Sequence, residues 1–224
     1  MIYLHVVVEG DTELNFVKQV LAPHMMGHGI FTDARKVLTS RNRRAGRTHR
    51  GGMSDYSKSR DDISAWLKER SGSDNRFTTM FDLYALPPDF PGFQEAALKA
   101  DPYERVQCLE SALAEDFGDW RFVPYIQLHE FEALVLSDPQ HLDWEYIDHE
   151  APIRRIVEMV GERNPELIDD RPETAPSKRI LRELPTYDKA TAGVSVVEHI
   201  GLPRLREKCR HFNDWLTRLE SLAE

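Results

Sequence analysis

The sequence predicts an α/β fold: a mainly parallel sheet flanked by helices, followed by a mostly helical C-terminal extension. Three observations carry that reading. Leu4 to Val8 is an apolar run with His5 within it, β-branched at three successive positions, which is the pattern of a strand covered on both faces. Strand-like and helix-like stretches then alternate, as they do in a doubly wound sheet. From about residue 129 onward the pattern turns helical. The expected division is an α/β core over 1–128 and a helical extension over 129–224, packed on the core as one continuous domain.

Each element follows in order. After the first strand, Gly10 permits a sharp turn close to another group, and Asp11 or Thr12 can cap a helix whose apolar face is Leu14, Val17, Val20 and Leu21. A strand is expected around Ala34 to Leu38. It leads into "RKVLTSRNRRAGRTHRGGMSDYSKSR", where Asp55 is the only acid and the glycine-, serine- and asparagine-containing middle reads as a loop. Asp61 to Glu69, with Ile63, Trp66 and Leu67, reads as a helix, and "RFTTMFDLYAL" returns to strand composition. "PYERVQCLESALAEDF" is a second amphipathic helix, and "RFVPYIQL" is the next strand. The chain finishes on "RHFNDWLTRLESL", in which Phe212, Trp215, Leu216, Leu219 and Leu222 form one apolar stripe suited to core or partner packing. If exposed, that stripe would allow a homodimer.

The totals narrow the class. With 224 residues, 41% hydrophobic and 30% charged, the chain can bury a sizeable core. No apolar stretch approaches the roughly 20 residues that span a bilayer, and acids follow the first apolar run too soon for a signal peptide. A cytoplasmic location with no membrane association is therefore expected. Cys108 and Cys209 stand far apart without CxxC pairing, which argues against a disulfide scaffold or a structural zinc site. A net charge of −9 argues against a general coat for nucleic acid, so any such surface must be local. Arg41, Arg43, Arg44, Arg47 and Arg50 supply one, in a loop suited to holding a phosphate backbone without reading bases. Its other reading is a solvated loop or a contact for an acidic partner.

Ligands collect at the carboxyl edge of strands in open α/β sheets, and Glu9 and Asp82 each stand at the end of such a strand. Two carboxylates at one edge suit Mg²⁺, which takes one or two of them plus waters and phosphate oxygens. Asp89, in the loop after Asp82, and Glu130 and Glu132, after the next strand, are further candidates. In a helix Glu130 and Glu132 would lie about 200° apart, so only one would face an ion, and Glu130 is preferred as nearer the strand end. The zinc-protease motif HExxH is ruled out because Ala133 occupies the second histidine position. Without a GxxxxGK loop, nucleotide hydrolysis is not expected either. The structural reading of the first turn also stands: Asp11 as cap, Glu13 favouring the helix dipole, Glu9 a solvated strand end.

"VVVEGDTE", followed by an apolar strand ending in "FDLY", resembles the Toprim domain. Its E-G-x-x-E match, here Glu9, Gly10 and Glu13, is similar to the Toprim part of overcoming-lysogenization-defect nucleases. "VEGDTE", "FDLYALPPDFPG", "QLHEFEALVLSDP", "PETAPSKRI" and "GLPRLREKCRHFNDWL" together resemble the bacterial family catalogued as domain of unknown function 4276, over nearly the full length. The resemblance implies a Toprim-like (Rossmann-like) fold and Mg²⁺ or Mn²⁺, one ion or two, held by Glu9, Asp82 and Glu13. It implies phosphodiester cleavage, of DNA first and RNA as the alternative, in a bacterial anti-phage setting with an AAA/ABC-type ATPase encoded alongside. One departure stands out: Toprim enzymes carry Asp-x-Asp on the second strand, and here the third position is Tyr84. Asp89 or Glu130 could take the missing role, or the site could hold a single ion.

Lys178, at the start of the helix expected after Thr174 as cap, is the candidate to steady the transition-state phosphate; an ordinary solvated base is the other reading. "YDKATAG", with Tyr187, Asp188 and Lys189, offers the same two readings. His211 reads as structural. A non-catalytic or partner-gated subunit that docks the ATPase is the competing reading, and Tyr84 favours it.

Overall fold

The computed structural model describes residues 1–37, 53, 55–168 and 174–223. The candidate phosphate-holding residues Arg41, Arg43, Arg44, Arg47 and Arg50 lie outside the described residues. β1 (Ile2–Val8) is followed by α1 (Asp11–Phe16), a π-helical turn at Val17–Leu21 and α2 (Ala22–Gly27). Next come β2 (Ile30–Lys36), α3 (Tyr56–Glu69) and β3 (Asn75–Asp82). α4 (Phe93–Ala97) and α5 (Pro102–Phe117) lead to two short strands, β4 (Phe122–Val123) and β5 (Ile126–Gln127). The remainder is helical: α6 (Glu132–Val135), α7 (Glu150–Val160), α8 (Pro176–Glu183), a π-helical turn at Lys189–Gly193, α9 (Val194–Ile200), α10 (Leu202–Lys208) and α11 (Arg210–Glu220).

The strands run in the order β2-β1-β3-β4, with β5 also on β3, and every pairing is parallel. This is the parallel, helix-flanked α/β class that the sequence predicts. Both faces of the sheet are covered, which is why β1 is largely apolar, with buried His5 held by Asp33 and Asn75. Leu4, Val6, Val8 and Met80 face one core, packed with α1 and the C-terminal helices. Val7, Phe77 and Phe81 face the other, against α3 and α5.

Several boundaries differ from the sequence reading. β2 begins at Ile30 instead of Ala34, because Ile30 pairs with Ile2 and is fully buried; of the expected strand, Leu38 lies outside the described residues. α3 begins at Tyr56, one turn early, with Asp55 accepting the Ser57 N–H at 3.0 Å as its cap. "RFVPYIQL" is two strands because Pro124 has no N–H to give the ladder. Thr79 fills the gap: its hydroxyl donates to the Tyr125 carbonyl at 2.8 Å and accepts from the Tyr125 N–H at 2.9 Å. The cap of α1 is Gly10, not Asp11 or Thr12, and the residue before α8 is Ala175, not Thr174.

The apolar stripe of α11 is core. Phe212, Trp215, Leu216 and Leu219 are buried, and Trp215 stacks on Tyr125 at 4.3 Å while its indole N–H donates to Thr78 on β3 at 2.9 Å. The stripe therefore offers no dimer face, because the sheet already covers it. His211 lies with its ring 2.9 Å from Glu110 and stacked on Tyr125. Among the described residues, no helix is long and apolar enough to cross a membrane, and both cysteines are free.

Candidate functional site

The register fixes what meets at the carboxyl edge. Val8 lies opposite Met80, so the residues just beyond, Glu9 on one strand and Asp82 on the next, arrive at the same end of the sheet. Gly10 is extended, at φ −135°, so left-handed freedom is not its contribution. Its contribution is closeness: its N–H donates to Glu13 Oε2 at 2.9 Å, and a Cβ there would stand 3.2 Å from that oxygen. Glu13 is thereby turned back from α1 toward the strand ends.

The third strand end adds two acids. The chain turns at His129, which holds a left-handed φ of 60°, costly for a residue with a side chain. Glu130 follows before the helix begins, and Glu132 is the first residue of α6. The helical-wheel argument that sets them apart therefore does not apply. Glu130 lines the cavity and accepts the Ser177 N–H at the start of α8, at 3.0 Å. Glu132 lies fully buried beside it.

Lys189 is the cation among these acids. It opens the π-helical turn at Lys189–Gly193, which Asp188 caps by accepting the Thr191 N–H at 2.9 Å. The Lys189 ammonium lies 2.8 Å from Asp82 Oδ2 and 3.1 Å from Glu132 Oε2. Glu9, Asp82, Tyr84, Glu130 and Lys189 line a cavity of about 470 Å³ that includes the Gly10 turn.

The electrostatics follow from burial and crowding. Burial, then Asp82 and Glu13, push Glu9 up to about 8. Burial and Asp82 push Glu13 up to about 7, and burial raises Glu132 to about 7 against the pull of Lys189. Asp82 is raised by burial, again with Lys189 opposing. For Lys189 burial disfavours the charge, but Asp82, Glu132 and Glu13 outweigh it and hold the ammonium protonated. Several protons are thus shared near neutrality by groups that a cation could discharge.

The residues suit a hard cation. Glu9 Oε2, Asp82 Oδ1 and Glu132 Oε1 are buried without hydrogen bonds, and the acids offer only oxygen, as Mg²⁺ and Mn²⁺ prefer. No three of these carboxylates bring ligand atoms within 4.8 Å of one another. An ion here would take one or two carboxylates, with water and phosphate oxygens completing its shell.

The structure thus gathers Glu9, Glu13, Asp82, Glu130 and Glu132 at one edge. It places Asp89 elsewhere, its carboxylate accepting the Tyr56 N–H at the start of α3 at 3.1 Å. Lys178 is exposed on α8 and does not line the cavity; only its neighbour Ser177 reaches Glu130. The lysine that sequence reasoning set level with Lys178 is the one at the acids. The turn signal "DKAT", an aspartate capping its own third neighbour, marks Lys189 as the start of an ordered element. Tyr84 lines the cavity where a second aspartate was expected, its ring 5.3 Å from that of His129.

A family profile described as "Domain of unknown function (DUF4276)" matches residues 8–220. Comparison with curated proteins finds no match. Among solved structures, the C-terminal region of the Burkholderia pseudomallei OLD protein is similar, at 13% identity and a TM-score of 0.47, with 100% of both chains covered. The C-terminal region of the Xanthomonas campestris pv. campestris OLD protein is similar at 14% identity and a TM-score of 0.39, covering 99% of this chain and 97% of that one.

Proposed function

We propose that this chain, which belongs to the family described as Domain of unknown function (DUF4276), is a divalent-metal-dependent nuclease that cleaves phosphodiester bonds of DNA. The observation that carries the reading is the convergence of Glu9, Glu13, Asp82 and Glu130 with Lys189 on one strand-end cavity. Glu9 and Asp82 are the residues that would hold Mg²⁺ or Mn²⁺, with Glu13 or Glu130 supporting them. When bound, such an ion supplies positive charge to the phosphoryl oxygens and lowers the pKa of water.

The chain's own residues do the rest. Without the ion Glu9, raised to about 8 by burial and its acidic neighbours, holds a proton near neutral pH, and that proton would leave as Glu9 takes up the ion. Lys189 orients Asp82 and presents charge toward the same cavity, where a phosphate's developing charge would be stabilised. The arginines at 41, 43, 44, 47 and 50 would hold backbone phosphates, so affinity should fall steeply with salt.

The test is nicking of supercoiled plasmid by the isolated protein with Mg²⁺ or Mn²⁺, beside chelator, Glu9→Gln and Asp82→Asn controls, with RNA as a parallel substrate. Metal-dependent cleavage lost in both variants is the expected result. Wild-type rates in both folded variants would overturn it.

A second reading has its own observation. Lys189 already pairs with Asp82 and Glu132, and Tyr84 stands where a second aspartate was expected. Both favour a site that stays closed until a partner, such as the AAA/ABC-type ATPase that the family resemblance implies, rearranges it. Cleavage that appears only with the ATPase present would decide for this reading.

A further inference from the structure

Away from the acidic edge, the two ends of the chain meet at a cluster of different chemistry. His24 lies in α2 and His28 immediately follows it, four residues apart and so on one side of the helix end. Glu220, the last residue of α11, reaches both: its Oε1 is 2.7 Å from His24 Nε2 and 3.8 Å from His28 Nε2. Among the described residues this is the one group of three or more histidine, cysteine or acidic side chains whose ligand atoms all fall within 4.8 Å of one another.

Two imidazoles and a carboxylate are the ligand set of zinc-class ions, which accept nitrogen where Mg²⁺ prefers oxygen. Metal–ligand bonds of about 2.0–2.1 Å put tetrahedral ligand atoms roughly 3.3 Å apart, so Glu220 Oε1 would open from His24 and close on His28 by about half an ångström each, within the reach of side-chain rotation. His28 has solvent on one side: its side chain is 41% exposed, with Glu220 at 3.8 Å and the His24 ring at 4.9 Å. His24 and Glu220 are more enclosed, at 27% and 15%.

Arg206 shapes the cluster as well. Its guanidinium donates to Glu220 Oε1 at 2.6 Å, to Asn213 at 2.8 Å and to Thr217 at 2.8 Å. It therefore holds in place the same oxygen, Oε1, that faces both imidazoles, as hydrogen bonds behind a metal ligand do, and an ion there would share that oxygen with the guanidinium. Its positive charge also keeps affinity below that of a closed structural zinc site.

We propose that His24, His28 and Glu220 bind one divalent transition ion of the zinc class, clamping the end of α2 to the end of α11. The site is separate in residues and in chemistry from the acidic edge, and it stands or falls independently of nuclease activity.

The test uses the full chain, stripped by chelator, titrated with Zn²⁺ by calorimetry and with Co²⁺ by visible absorption, whose bands report nitrogen and oxygen coordination. The Asp82→Asn background weakens the competing edge. One ion per chain should bind there, raise the melting temperature, and bind at least about tenfold more weakly in His28→Ala, which loses no hydrogen bond and so keeps its fold. His24→Ala should match it. Absence of binding to the folded protein, or titrations of His28→Ala that superimpose on those of the parent, would overturn the proposal.

Discussion

Lys189 Nζ lies 2.8 Å from Asp82 Oδ2 across 107 residues of sequence, and 3.1 Å from Glu132 Oε2. One cation thus ties the helical C-terminal half to two of the three strand ends that supply acids. With five carboxylates at the edge, a single lysine leaves a surplus of negative charge there. Burial first, and this surplus second, raise the carboxyl pKa values at Glu9, Glu13, Asp82 and Glu132.

Lys189→Met should therefore destabilise the protein by about 2–3 kcal/mol. Removing one partner of an enclosed ion pair costs about 3–5 kcal/mol, and the figure is reduced because 34% of the lysine side chain meets solvent. Urea denaturation measures it. Pairing Lys189→Met with Asp82→Asn should recover part of the loss, since the orphaned charge is then gone. Strict additivity of the two substitutions would show that the contact is energetically idle.

Stability without metal should fall as pH rises. A carboxyl whose folded pKa is raised binds its proton more tightly folded than unfolded, so its contribution is complete below the ordinary value near 4.5 and lost as pH passes the folded value. For Glu13 that value is about 7 and for Glu9 about 8, so the melting temperature in chelator should drop as pH rises from about 4.5 to about 8 and level off above that. Mn²⁺ should restore it most at the upper end, because ligation displaces those protons. A flat chelator profile over this window would contradict the crowding described at the edge.

Local rules made the edge legible. An apolar run ending in Glu9-Gly10 and another ending in Asp82 each report a strand end, and parallel pairing brings strand ends together whatever lies between. Lys189 was less legible because its partners are distant in sequence and its own element is a short π-helical turn without a periodic signature. Asp89 illustrates the converse: proximity in sequence to Asp82 suggested a ligand, but the backbone N–H at the start of α3 claims its carboxylate. The α11 stripe was legible as apolar, while its burial depended on the sheet face that Thr78 and Met80 present.

Glu9→Gln should separate stability from function. The substitution removes a charge that burial, Asp82 and Glu13 all disfavour, so the melting temperature at about pH 8 should hold or rise, by the equivalent of about 1 kcal/mol. Stabilisation by Mn²⁺ should shrink in the same protein, and cleavage should drop by about a hundredfold or more. Thermal melts with and without Mn²⁺, beside the plasmid assay, check all three. Loss of cleavage together with loss of fold would instead mark Glu9 as structural.

Tyr84→Asp tests the departure at the third position of "DLY". The side chain borders the cavity and is half-buried, so a carboxylate there would face the same space as Glu9 and Asp82. It adds one oxygen ligand to a site where no three ligand atoms now converge within 4.8 Å. Affinity for Mn²⁺ should rise by about tenfold, equivalent to roughly 1.4 kcal/mol. The cost should be paid by the metal-free protein: one more acid in a crowd of acids lowers its stability above about pH 7, and the ring contact with His129 is lost. Calorimetric titration with Mn²⁺ at two pH values, beside chelator melts of the same samples, separates the two effects. If affinity is unchanged while the metal-free protein is destabilised, the ion sits away from Tyr84, held by Glu9 and Glu13 on the α1 side of the cavity.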